Sequence, residues 1–597
     1  LTALHVAFSS FLIPKATMAA RVRFTPTSAR VLLAVLGFVL PALADLCSPS
    51  WKRRVFGWVA ADTFYYVTVA RNVVRYGRVA YDQTNPNNGF HPLWQLLCAG
   101  LAWILDRPPA HDWLLSGVVL VGVGFIAAAI PLLGRTLTAR GRSLSVFFPL
   151  LPVGAYAFLV MPIWARGMPS MARQNSVEGP MPLYGTLWTD ANGMETCLVV
   201  FFLALSGWIF TLGDVTTRPR RAFAFGLALS GLVLSRLDHM LLILPLLAGI
   251  GVSVLVTRGL TKPLLLLVSA FSLPVGLYLF LNHHYYGTLV PVSGALKSSF
   301  PHVDNQNLDD LVAFWRGPWR GLFLIEAYRQ LAAAIPAFAA ILYLFIVVEV
   351  RPLGRSVMVR LRPWTTRYDV FLASLAPGVV LLALYNILFV QWFYQGHWYF
   401  PASTLFVSLA FFSLAAPLEA KIARSLADLA ERLGKIPAAV LSAAWLAACA
   451  ACVVFVFAHF HRQLGYHQKL ADFYFDEAPK VRAYYGDPMP KFLEDDDGII
   501  AYSLGAPTMS MGLGLDPEGA AALSHGDLLE LALERHYDRL TSLVYVTGEK
   551  LGTAPSPGDL KKWAKDVVTL DDSKPYKFAL DYRSSDGQFA ILKAWKN

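Results

Sequence analysis

DTFYYVTVARNVVRYGRVAYDQTNPNNGFHPLW, residues 62–94, follows directly on the first long apolar stretch of the chain. Asp62 opens it, Arg71, Asp82 and His91 follow, and Tyr65, Tyr66 and Trp94 stand among them. Charges beside hydrocarbon are costly and are kept where they serve a site. A segment this rich in ionisable and aromatic groups therefore reads as an active-site loop rather than a packing element.

The rest of the chain supplies the membrane. With 56% hydrophobic and 15% charged residues over 597 positions, and a mean hydropathy of +0.48, there is too little polar surface to clothe a soluble globule. Apolar stretches near 28–45, 113–133, 144–165, 195–213, 222–236, 239–257, 263–282, 328–350, 369–392, 400–417 and 437–459 meet or approach the ~20 residues a spanning helix needs, which predicts about eleven spans. The net charge of +11 comes in short Lys/Arg clusters between these stretches, at 21–30, 135–142, 218–221, 258–262, 351–367 and 421–435. Such clusters mark cytoplasmic loops, so the charge argues for topology and against nucleic acid as a partner. All fall on one side if the apolar piece 93–105 dips into the outer interface without crossing. The loops 46–112, 166–194, 236–239, 283–327 and 393–399 then face outward, as does everything after about 460.

This predicts a multi-pass α-helical protein of the inner (cytoplasmic) membrane in three parts. Residues 1–27 form an N-terminal segment in which Met18, before Arg21 and Arg23, reads as the true start. Residues 28–460 form the membrane domain, with 46–112 as its first outer loop. Residues 461–597 are more polar, with short β-like runs such as 498–502 and 543–546, and read as an extracytoplasmic soluble α/β or α+β domain. The five cysteines show neither zinc spacing nor a disulfide framework.

Ionisable residues gather at the outer ends of the helices. Beyond the first loop these are Asp190 and Glu195, Arg236 with Asp238 and His239, Lys297 after His283 and His284, and His397. A ring of acids, bases and cations around a membrane-level cavity suits a reaction between an anionic lipid and a polar acceptor. A carboxylate can take a hydroxyl proton while Arg, Lys and His neutralise a phosphate leaving group. Each residue also has a plainer reading: Asp62 as a helix N-cap, Arg71 as the partner of a carboxylate, Asp190 and Glu195 as acids favoured at a helix N-terminus, and Arg236 with Asp238 as an ion pair anchoring a hairpin.

The strings ADTFYY (61–66), ARN (70–72) and NNGFHPLW (87–94), followed in order by NGMET (192–196), SRLDH (235–239), HHYYGTLVPVSGALKS (283–298) and WYFP (398–401), resemble GT-C fold, polyprenyl-phosphate-sugar-dependent glycosyltransferases. The resemblance covers about 28–460. It implies an inverting transfer of a hexosyl or pentosyl group from a polyprenyl-phosphate donor to a glycan, lipid or protein acceptor on the outer membrane face. Asp62 is then the catalytic base, and His91, Arg236, Lys297, Arg71, His397, Tyr65, Tyr66 and Trp94 bind donor phosphate or substrate. Asp190, Glu195 and Asp238 are further acidic candidates. Oligosaccharyltransferases of this fold use a divalent ion, which implies Mg or Mn on Asp62, Asp190 and Glu195; relatives with monophosphate donors need no metal, so both cases stay open. The chain departs from the family pattern at Ala61, where relatives often carry a second acid, and at Asn87. A lipid-linked sugar flippase is the rival reading, although midplane charges and repeated halves are absent from the sequence; a non-catalytic binding subunit is the other, on the strength of Ala61.

Overall fold

A computed structural model describes residues 26–106, 113–138, 144–157, 185–303, 307–309, 325–353, 356–361, 365–390, 399–433, 438–463, 468–495, 498–510, 515–543, 554–568, 570–571, 573–587 and 589–596. The chain begins with α1 (Pro26–Leu46), a short α2 (Trp51–Trp58), α3 (Ala61–Tyr76), α4 (Pro92–Leu105) and α5 (Trp113–Leu137). There follow α6 (Thr196–Thr211), α7 (Pro219–Ser235), α8 (Met240–Arg258), α9 (Lys262–Tyr286), the short α10 (Val292–Lys297) and α11 (Ile325–Val347). An antiparallel hairpin, β1 (Val348–Leu353) and β2 (Ser356–Leu361), precedes α12 (Arg367–Phe389), α13 (Pro401–Leu433) and α14 (Ala438–Gln463).

Among the described residues five helical stretches are long and apolar enough to cross a membrane: Thr27–Leu46, Trp113–Leu137, Leu237–Arg258, Lys262–Tyr286 and Arg367–Phe389. The helices at α6, α11, α13 and α14 contain shorter apolar runs. The expected span 144–165 is corrected over 144–154, which consists of turns and a 3₁₀ turn at Phe148–Leu150, with helix beginning only at 155; Pro149 and Pro152 remove the amide donors a helix would need there. The 14-residue α4 rises only ~21 Å, short of the ~30 Å hydrocarbon core. Exposed Leu96, Trp103 and Ile104 line one side of it, and buried Trp94, Cys98 and Ala102 the other.

Between helices the packing is close because small residues let backbones approach. At Gly378 of α12 a β-carbon would collide with the Leu242 carbonyl of α8. After α14 come α15 (Gln468–Asp472), α16 (Ala478–Tyr485), α17 (Ile499–Leu504), α18 (Pro517–His525), α19 (Leu528–Glu534) and α20 (Pro557–Val567). These surround a five-stranded mixed sheet of β3 (Phe492–Glu494), β4 (Thr508–Ser510), β5 (Arg539–Leu543), β6 (Tyr576–Arg583) and β7 (Phe589–Lys596), in the order β4-β3-β5-β7-β6. β3 runs parallel to β4 and β5, and β7 antiparallel to β5 and β6. Leu493, Leu540, Leu592 and Trp563 centre a core of its own, which Leu296 of α10 also touches.

This C-terminal part sits directly on the 62–94 segment. Tyr537 Oη donates to Asp82 Oδ2 at 2.8 Å, Asn87 Nδ2 to the Leu515 carbonyl at 2.8 Å, and Tyr81 to Glu494. Gly498, at φ 100°, permits the approach: a β-carbon there would lie 2.7 Å from the Tyr65 amide nitrogen.

Candidate active site

A cavity of about 500 Å³ opens where the ends of α3, α7, α10 and α12 meet. Asp62, Tyr66, His91, Glu195, Arg236, Asp238, Lys297, Tyr385 and Tyr399 line it, with an apolar rim that includes Leu241, Val290 and Phe300.

Asp62 is buried in the first turn of α3. The N-cap is Ala60, which has no side-chain cap bond, so the plainer reading of Asp62 as the cap is corrected. Its carboxylate lies near the positive end of the helix dipole and 3.8 Å from Lys297 Nζ. Burial raises its pKa above the ordinary carboxylate value, and the Lys297 charge opposes that rise. The start of α3 is held by the NGMET segment: the Asn192 carbonyl accepts from Ala60 N and from Thr63 Oγ1, both at 2.9 Å. That tether brings Glu195 beside the first loop.

Glu195 is fully buried and shared three ways. Arg236 Nη1 donates to Oε1 at 2.8 Å, Tyr66 Oη to Oε2 at 3.0 Å, and His91 Nε2 lies 3.6 Å from Oε1. Arg236 also reaches Asp238 Oδ2 at 2.8 Å, and His239 Nδ1 is 2.8 Å from Asp238 Oδ1. The Tyr399 ring covers the guanidinium at 4.5 Å, a cation–π arrangement. Arg236 thus enters the cavity already neutralised by two carboxylates. Burial pushes His91 down from 6.5 to about 4, and among the described residues its buried Nδ1 has no hydrogen-bond partner.

Of the residues expected at the site, Asp62, Tyr66, His91, Glu195, Arg236, Asp238 and Lys297 come together on the cavity. Three do not. Tyr65 is buried behind it, bonded to Asn87; Trp94 is buried and donates to the Gly193 carbonyl at 2.9 Å. Arg71 faces away: its Nε is 3.1 Å from Asp106 Oδ1, its Nη1 donates to the Tyr502 carbonyl at 3.1 Å, and it stacks 4.0 Å above the Tyr502 ring. All three build the walls rather than line the cavity. His397 lies outside the described residues.

Asp190 is buried in the 3₁₀ turn Thr189–Ala191 and is absent from the cavity lining. The triad of Asp62, Asp190 and Glu195 expected for Mg or Mn therefore does not assemble, and among the described residues no group of three His, Cys, Asp or Glu side chains is placed to hold a metal ion. Tyr385, which donates to Ser298 Oγ at 3.0 Å in the cavity wall, escaped sequence reading. Its signal was a phenol inside the apolar run LLALYNILF.

Among solved structures the chain is similar to ArnT from Cupriavidus metallidurans bound to undecaprenyl phosphate, at 13% identity over 96% of this chain and 98% of that one, with a TM-score of 0.46. It is similar to the apo state of the same protein, at 13% identity over 95% and 97%, TM-score 0.45. The Archaeoglobus fulgidus oligosaccharyltransferase tethered with an acceptor peptide matches at 13% identity over 95% of this chain and 74% of that one, TM-score 0.45. No protein-family model and no curated protein matches the chain. Superpositions this loose transfer no residue roles.

Proposed function

We propose that the chain is a GT-C-type membrane glycosyltransferase that moves a hexosyl or pentosyl group, with inversion, from a polyprenyl-phosphate-linked donor to an acceptor hydroxyl at the extracytoplasmic face. The observation that carries the reading is the pairing of Asp62 with Lys297 at 3.8 Å in a cavity with an apolar rim. A base and a phosphate-binding cation stand side by side where a lipid-borne sugar can enter. The motif resemblance of the first loop supports the same assignment, and the basic loops support the orientation.

In this mechanism the acceptor hydroxyl gives its proton to the Asp62 carboxylate as its oxygen attacks the anomeric carbon. The bond from that carbon to the phosphate oxygen breaks, and the electron pair leaves with the phosphate. Arg236 is committed to Glu195 and Asp238, so Lys297 is the cation that the phosphate competes for. Drawing Lys297 toward the donor loosens its hold on Asp62, and burial then makes that carboxylate a stronger base. Arg236, Glu195, Tyr66 and Asp238 hold the cavity floor.

The test is release of polyprenyl phosphate in proteoliposomes carrying lipid-linked sugar donors, together with mass spectrometry of lipids that co-purify with the wild-type chain and with Asp62→Asn. Retention of a sugar-bearing polyprenyl phosphate by the variant and its turnover by the wild type support the proposal. Transfer of intact donor between leaflets without cleavage would make the chain a flippase.

A further inference from the structure

A second cavity, of about 750 Å³, lies at the other end of the bundle. It is formed by the C-terminal end of α6 and the N-terminal end of α7, whereas the first cavity receives Glu195 before α6 and Arg236 after α7. The 16 residues of α6 rise ~24 Å, which separates the two sites by most of a hydrocarbon core.

Arg135, Arg218, Arg221 and Arg367 line this cavity around a floor that includes Trp208. Its single acid is Asp214, and that carboxylate is already engaged. It accepts from Thr216 N at 2.8 Å and Thr216 Oγ1 at 2.6 Å and lies 3.7 Å from Arg258. Among the described residues none of the four lining arginines forms an ion pair. Arg221 and Arg367 come from different helices yet converge over the same backbone: a β-carbon at Gly213 would meet the Arg221 guanidinium and come within 3.3 Å of Arg367 Nη1. α7 also starts here without a capping side chain, at Arg218 and Pro219, so the positive end of a 17-residue helix adds to the field.

A Lys/Arg bias of a loop is enough to mark topology and does not require like charges, which repel one another, to be gathered. These arginines are held together in a concavity, at a cost in like-charge repulsion that an anion would relieve. The guanidinium fork matches phosphate oxygens. We propose that this cavity is a binding site for a phosphate-bearing anion, either a soluble phosphate compound or a phosphate monoester lipid headgroup, separate from the candidate active site. The site takes its anion from the membrane face opposite the first cavity.

The experiment uses the full chain in phosphatidylcholine nanodiscs, titrated calorimetrically with inorganic phosphate at constant ionic strength. A parallel arm measures by native mass spectrometry the retention of phosphatidic acid over phosphatidylcholine. The variants are Arg221→Gln with Arg367→Gln, and Lys297→Met as the control for the first cavity. Loss of two charged hydrogen bonds weakens binding by about tenfold or more, so the double variant should lose at least that much affinity in one arm, whereas Lys297→Met, which removes only the first-cavity contact, keeps the arginine-dependent component. Phosphate binding identifies a soluble ligand; selective retention of phosphatidic acid alone identifies a headgroup. If the double variant does not fold, Arg218→Gln, an exposed position, should weaken the same signal severalfold. Binding that is absent in both arms, or insensitive to these arginines, overturns the proposal.

Discussion

Lys297 Nζ stands 3.8 Å from Asp62 Oδ2, joining the last turn of α10 to the first turn of α3. Neighbouring Leu296 packs on the core of the C-terminal part. Contact with the sheet region and contact with the carboxylate are therefore made by consecutive residues of one short helix, and the placement of Lys297 depends on both.

Replacing Asp62 by Asn keeps the shape of the side chain and removes the base. General-base assistance is worth ~10²–10⁴-fold, so turnover should fall by that order. Because Asp62 is not the N-cap and its charge is buried, melting temperature should not drop. Steady-state transfer rates and thermal melts of the same preparation check it, and wild-type turnover in the variant would remove Asp62 from the chemistry.

Lys297→Met and Arg236→Met should separate a binding role from a structural one. Loss of a charged hydrogen bond to the donor costs roughly 1.5–3 kcal/mol, which in Lys297→Met appears as weaker donor binding. Arg236→Met instead removes the guanidinium that the fully buried Glu195 and the partly buried Asp238 share, at a cost of roughly 3–5 kcal/mol of stability. Donor titrations and melts of both variants decide. Equal donor affinity in wild type and Lys297→Met would contradict the assignment.

His91 should impose a pH dependence on stability. Its pKa falls from 6.5 to about 4 on folding, so between those values the unfolded chain binds more protons than the folded one. Stability is then lost as pH drops through 6.5 toward 4. His91→Gln, which retains hydrogen-bonding capacity, should flatten that part of the melting-temperature profile and leave the profile above pH 7 parallel to wild type. An unchanged slope would show that His91 does not contribute.

Asp106 carries both Arg71 and Arg75, at 3.1 and 2.6 Å, and is itself fully buried. Asp106→Asn should destabilise the protein by on the order of 3 kcal/mol without altering donor affinity, since neither arginine lines the cavity. A fall in donor affinity with no change in melting temperature would return Arg71 to the site.

Single cysteines at Thr217 and Ser524, both exposed, should label from opposite sides of the membrane once the native cysteines are replaced. Labelling of both from one side would refute the orientation read from the basic loops.

Much of the candidate site was legible in the chain itself. Asp62, Glu195, Arg236 and Lys297 each stand out as a charge at the end of an apolar run, and a charge in that position has few cheap explanations. Hydropathy likewise located most of the long helices, because a helix in hydrocarbon must satisfy its own backbone and be apolar along its length. What composition and spacing could not decide is which face of an element meets the cavity. Arg71 lies nine residues after Asp62, about 180° around α3, and so points to Asp106 and Tyr502 instead. The two basic clusters at 135 and 218–221 read as topology markers one by one. Only packing, which sets α5, α7 and α12 around α6, turns Arg135, Arg221 and Arg367 into one concave site. Hydrophobic pattern is a property of each segment, whereas a cavity is a property of several segments from distant parts of the chain, and their relative rotation is set by side-chain packing that no single segment encodes.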